Sequence, residues 1–187
     1  MKIEDFIVIM KRWEGGLSRN TSDSASKNPC PTVHNGYSGW HTNKGITYAV
    51  WKSHFGSKND TRFFAMNDKD WFEIFDKLYF KAVKGHDFTC LNIGCMVAEF
   101  AWGSGPIPAV KLLQQACNEL GGKLLIDGVI GPNTLKVANS LDTKKLFDKL
   151  IEVRREFFIS ISKGKNSVFL KGWLNRLENN ASLFRPK

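Results

Sequence analysis

The chain has 187 residues, of which 42% are hydrophobic and 24% charged, enough to bury a core in one compact domain or two small ones. Its net charge of +9 favours polyanionic partners: nucleic acid, an anionic membrane surface or a cell-wall polymer. Lysines and arginines are spread without a dense basic run, which argues against a nucleic-acid arm. No apolar run approaches a membrane span, and the four cysteines lack the spacing of a zinc site.

The N-terminal stretch reads as an amphipathic helix. Phe6, Ile7, Met10 and Trp13 recur at three- and four-residue steps, and Glu14 extends that apolar stripe. Gly15 and Gly16 are expected to end the helix in a left-handed turn. A carboxylate at such an end is partly desolvated and near the negative pole of the helix dipole. Both effects raise its pKa and suit it to donate a proton, although an ordinary solvated glutamate fits the same pattern. Acidic residues before the first apolar run, and no small-residue cleavage site after it, point away from a secretory signal. Synthesis in the cytoplasm is the expectation, with a later exit left open.

Residues 17–41 form a polar segment rich in Ser, Asn, Gly and Pro, read as an extended loop or small hairpin. Tyr37 and Trp40 are its aromatic residues, and Asp23 is the only acid between Glu14 and Asp60. Thr47 is placed to cap a short helix carrying Tyr48, Val50, Trp51 and Phe55, closed by Gly56. Asn67 can cap the next, with Trp71, Ile74, Phe75, Leu78 and Tyr79 as its stripe. Residues 91–102 are apolar nearly all round and predict a central helix whose single charge is Glu99. The Gly103-Ser104-Gly105-Pro106 run breaks it, and a helix from about Pro108 to Leu120 follows.

Asp127-Gly128 predicts a turn, and Gly131-Pro132 opens a short helix. The longest amphipathic stretch carries Phe147, Leu150, Ile151, Phe157, Phe158 and Ile161, with Arg154 inside its apolar stripe, where it is expected to pair with a buried acid, Glu99 as first choice. A last helix holds Phe169, Trp173, Leu174 and Leu177. Period-two alternation is absent, so the fold class is mainly α. Cys30, Cys90, Cys95 and Cys117 read as buried free thiols.

Phosphate-cradling and dinucleotide motifs are absent. Cys30 with His34 or His41 is a weak candidate for thiol catalysis, since a catalytic thiol needs a structured electropositive pocket. His34, His41 and Asp23 lack any recognised metal-ligand spacing, so neither a metal nor a cofactor is expected. Two further runs stand out: Thr42-Asn43-Lys44-Gly45-Ile46-Thr47, and Ile126-Asp127-Gly128-Val129-Ile130-Gly131-Pro132-Asn133-Thr134-Leu135. With Glu14-Gly15-Gly16, Phe100-Ala101-Trp102-Gly103-Ser104-Gly105, Leu113-Gln114, Arg154 and Gly172-Trp173-Leu174-Asn175-Arg176, they keep the motif order of one family. Over nearly its whole length the chain resembles glycoside hydrolase family 108, the bacterial and phage N-acetylmuramidases with a helical peptidoglycan-binding segment.

The resemblance implies a lysozyme-like helical fold, with a catalytic part over residues 1–102 and a peptidoglycan-binding part over 103–187 packed closely on it. It implies cleavage of the β-1,4 bond between N-acetylmuramic acid and N-acetylglucosamine, with Glu14 as the essential acid, and Asp127-Gly128 as a structural turn. The family's acid-Pro-Gly-Gly run before T-N-x-G-I-T is missing, and its aspartate and asparagine near the central helix are replaced by Glu99 and Gly103. The second catalytic group therefore stays open between Asp23, Glu99 and a water held by neutral groups such as Thr47. Tyr37, Trp40 and Trp102 are candidates for stacking on sugar faces, with Thr42 and Asn43 as further substrate contacts. The partner expected is the peptidoglycan glycan strand, met by a monomer without nucleic acid or stable membrane insertion after holin-dependent or specialised release to the wall. A wall-binding module without catalysis and a lytic transglycosylase are the alternatives.

Overall fold

The structure is a computed structural model and describes residues 3–56 and 60–187. It is mainly helical. Among the described residues the α-helices are α1 (Ile3–Lys11), α2 (Tyr48–Phe55), α3 (Asp60–Phe64), α4 (Asp68–Phe75), α5 (Leu91–Ser104), α6 (Pro106–Glu119), α7 (Pro132–Ser140), α8 (Thr143–Ile161) and α9 (Leu170–Phe184). The one sheet among them is a two-stranded antiparallel hairpin, β1 (Thr42–Asn43) and β2 (Ile46–Thr47), in which Thr42 faces Thr47. No helix of the described residues is long and apolar enough to cross a membrane.

The chain divides into two compact units, residues 10–76 and residues 1–9 with 77–187. In the smaller unit, Tyr48 and Trp51 of α2 meet Phe63 of α3 at ring-centroid distances of 5.4 and 5.8 Å. Both expected caps form. Thr47 Oγ1 accepts from the Val50 N–H, and Asn67 makes a reciprocal capping box with Asp70 at the start of α4. Asp70 is buried and pairs with Arg62; burial pushes its carboxyl up, but the guanidinium, helped by the Asn67 N–H, more than offsets this and holds it below the usual range.

In the larger unit α5 is central, with every residue from Ile93 to Ala101 buried. It packs on α6, α8 and α9. The Gly103–Pro106 break, expected as a seam, is a helix-to-helix corner inside this unit; α6 begins at Pro106, two residues earlier than predicted. Cys30, Cys95 and Cys117 are buried and Cys90 half-buried, all as free thiols. Burial pushes the Cys117 thiol up to about 11.

Candidate active site

The N-terminal helix ends earlier than the periodicity predicts. α1 stops at Lys11, and the Trp13 and Glu14 N–H groups donate to the carbonyls of Met10 and Lys11, each 3.2 Å away, in tight turns. Glu14 thus lies past the helix, half-buried. Gly15 and Gly16 are not among the positive-φ residues. They let the chain straighten instead of capping it, because their segment turns into a strand-like course beside β1. The Ser18 N–H donates to Thr42 O at 2.8 Å, His41 N–H to Ser18 O at 3.0 Å and Lys44 N–H to Gly16 O at 3.4 Å. Two motifs far apart in sequence, E-G-G and T-N-K-G-I-T, are therefore backbone neighbours.

The polar segment that follows is an ordered loop. Asp23 is exposed and caps a short 3₁₀ turn (Ser24–Lys27), its Oδ1 accepting from the Ala25 N–H at 2.9 Å. Further on, His34 and Tyr37 exchange backbone hydrogen bonds of 2.9 and 3.0 Å around Asn35-Gly36, both at positive φ, which makes a two-residue hairpin turn. Trp40 closes this turn: its indole N–H is 3.1 Å from the carbonyls of both His34 and Tyr37. Tyr37 is 52% exposed, and the Arg19 guanidinium lies 4.1 Å above its ring and 5.6 Å from that of Trp40. Arg19 escaped the sequence reading because no spacing links it to either aromatic.

The histidines of the loop are structural. His34 stacks on Phe64 with centroids 4.2 Å apart. His41 is fully buried, its Nε2 3.1 Å from Asn20 O and its Nδ1 2.9 Å from Thr42 Oγ1. A carbonyl only accepts, so Nε2 carries the proton, and in the neutral ring Nδ1 accepts from the Thr42 hydroxyl. His41 so ties the loop preceding Asp23 to β1. The Cys30 thiol is pushed up by burial, the reverse of what a nucleophile needs.

Thr42 and Thr47 are half-buried and face each other across the hairpin. Asn43, expected at the sugar, is 3% exposed, and its Nδ2 donates to Phe63 O at 2.6 Å. Its amide holds the hairpin on α3, as a buried polar group must find a partner. Lys44 works beside it, its Nζ donating to Met66 O at 2.5 Å.

Glu99 and Trp102 belong to the larger unit. Trp102 is half-buried near the end of α5, edge-on to Tyr79 at 4.9 Å. Glu99 is 2% exposed and clamped by two arginines: Oε2 is 2.5 Å from Arg154 Nη2, and Oε1 is 2.7 Å from Arg176 Nε. Burial pushes its carboxyl up, yet the two guanidiniums overcome this and hold it below its ordinary value. The Arg154 partnership was legible from the sequence, while Arg176 was visible only as the last letter of G-W-L-x-R. The L-Q and D-G motifs likewise make one structure. Gln114 Nε2 donates to Asp127 Oδ1 at 2.8 Å, and its Oε1 accepts from the Gly128 N–H at 2.9 Å. Asp127-Gly128 is thus the structural turn expected.

The element order and the single small sheet among the described residues are those of a mainly α, lysozyme-like fold. The chain belongs to glycosyl hydrolase family 108, whose model matches residues 7–105; a second model, a predicted peptidoglycan domain, matches residues 108–178. It is therefore a hydrolase acting on peptidoglycan. The solved structure of Brucella abortus SagA is similar, with a TM-score of 0.73 over 98% of this chain and 95% of that chain, at 24% identity. No curated protein matches.

Proposed function

We propose that the enzyme is an N-acetylmuramidase that cleaves the β-1,4 bond between N-acetylmuramic acid and N-acetylglucosamine, with Glu14 as general acid. The observation that carries this reading is the backbone pairing between the Glu14 segment and the hairpin, Lys44 N–H to Gly16 O and Ser18 N–H to Thr42 O. It sets the backbone two to four residues after the half-buried Glu14 against the hairpin that carries Thr42 and Thr47, and so supports a general acid next to that hairpin. Glu14 gives its proton to the glycosidic oxygen as the bond to the muramic acid C1 breaks. Water then adds to C1. Asp23 either steadies the oxocarbenium-like centre while the water gives its proton back to the Glu14 carboxylate, or itself takes the proton of that water, which Thr47 orients. Glu99 is set aside as the second carboxylate because both of its oxygens are engaged by arginines.

Residues 1–102 act as the catalytic part and 103–187 as the wall-binding part, with the net charge of +9 drawing the protein to anionic wall polymers. Thr42, Tyr37, Trp40 and Trp102 serve as sugar contacts. Mass spectrometry of digested murein tests the reading. Products ending in reducing muramic acid support it, and anhydro-muramic ends would make the enzyme a transglycosylase. Glu14→Gln should lower turnover by about two orders of magnitude or more.

A further inference from the structure

Arg19 follows Glu14 by five residues, on the segment that runs beside β1, and its backbone is fixed from both sides. Before it, the Ser18 N–H donates to Thr42 O at 2.8 Å and Ser18 O accepts from the His41 N–H at 3.0 Å. After it, Asn20 O lies 3.1 Å from Nε2 of the buried His41. The side chain is held as well, its guanidinium carbon 4.1 Å from the Tyr37 ring centroid and 5.6 Å from that of Trp40. The platform is itself braced, since the Trp40 indole N–H is 3.1 Å from the carbonyls of both His34 and Tyr37. All these groups belong to the smaller unit.

A cation–π contact engages a guanidinium through its charge and flat face. It leaves the five N–H donors of the fork for other partners. Among the described residues no guanidinium N–H of Arg19 donates to a protein acceptor, and no carboxylate pairs with it. Asp23, the only acid between Glu14 and Asp60, has its Oδ1 engaged by the Ala25 N–H at 2.9 Å. Arg19 is exposed, so a ligand can reach it. An exposed lysine is a mobile point charge, whereas a guanidinium resting on an aromatic ring has its fork ordered before any ligand arrives. The matching partner is a carboxylate, which takes two parallel N–H···O bonds from such a fork.

We propose that Arg19, ordered by Tyr37, makes the site selective for a free carboxylate carried on the muramic acid residues of the glycan strand. The proposal rests on the reading of the chain as a muramidase with Glu14 as its acid. Two groups share this chemistry: a carboxylate of the peptide stem, and the lactyl carboxylate of muramic acid where the stem has been removed.

The test uses soluble glycan strands with and without stems, each as the free acid and with its carboxylates converted to amides. kcat and KM are measured for the wild type, for Arg19→Gln, and for Lys52→Gln, which removes another exposed charge of the same unit. Where a strand is cut too slowly for KM, its Kd is read from tryptophan fluorescence, and the same ratios apply. In the wild type, KM should be about fivefold or more lower for acid than for amide in at least one strand type, which identifies the carboxylate. Arg19→Gln should bring this ratio to within about twofold of unity by raising KM on the acid at unchanged kcat, while Lys52→Gln should keep the wild-type ratio. A wild-type ratio near unity in both strand types overturns the proposal. So does a ratio that Lys52→Gln lowers as much as Arg19→Gln, because the net charge of +9 then accounts for it. Product ends keep the two readings apart. Reducing muramic acid ends without acid preference remove the role of Arg19 alone. Acid preference lost in Arg19→Gln, with other product ends, removes the muramidase reading and leaves the Arg19 contact.

Discussion

Replacing Arg154 by Met should destabilise the enzyme strongly at neutral pH and weakly in mild acid. Arg154 holds one oxygen of a carboxylate that is 2% exposed, and its guanidinium also lies 4.7 Å from the Phe100 ring centroid. Removing one partner of a buried pair costs about 3–5 kcal/mol. Two features limit the loss. Arg176 still reaches the other oxygen, and Glu99 can take up a proton, which for a carboxyl of ordinary pKa costs about 3.5 kcal/mol at pH 7. The penalty should therefore be about 3 kcal/mol at pH 7, a fall in Tm of about 6–12 °C for a chain of this size.

The sign with pH follows from the direction of the shift. In the native protein Glu99 is held below its ordinary value of 4.5, so its contribution is complete above that pH and is lost as pH falls through the folded pKa. In Arg154→Met the folded pKa moves above 4.5, and stability is lost as pH rises instead. The gap between the two proteins should shrink to about 1 kcal/mol at pH 5. Urea unfolding at both pH values measures it. A gap of under about 1 kcal/mol at pH 7, or one equal at both, would refute the argument.

Three other outcomes are expected. Asp23→Asn keeps an N-cap acceptor for Ala25, since Asn caps as well as Asp, so turnover on murein should fall at least about tenfold with an unchanged Tm; full activity would return the second role to a water held by neutral groups. Thr47→Ala should lose about 1 kcal/mol of stability with the α2 cap, and Thr47→Ser should restore it, as thermal melts will show. Gly128→Ala meets both a φ of 81° and an added Cβ 2.7 Å from Ile107 Cγ2, and should destabilise by about 1–2 kcal/mol in the same assay.

Local patterning made the helical class legible, along with the Thr47 and Asn67 caps, the central position of α5 and the Asp127-Gly128 turn. Each depends on residues within one or two turns of one another, where spacing and side-chain chemistry are visible in the chain. The Arg154–Glu99 pair was legible for a different reason: a charge inside an apolar stripe has to meet its opposite. The end of α1 was not legible. Periodicity runs on to Glu14, but pairing of the Gly16–Ser18 backbone with β1 draws the chain out of the helix after Lys11. The buried partners of Asn43 and His41 were not legible either, since polar side chains in a motif look alike whether they face a ligand or a buried carbonyl. Composition and periodicity determined what this chain buries and where it turns. Tertiary structure alone decided that E-G-G lies against T-N-K-G-I-T and that Arg154 and Arg176 share one carboxylate, because such contacts join residues dozens of positions apart that no local period connects.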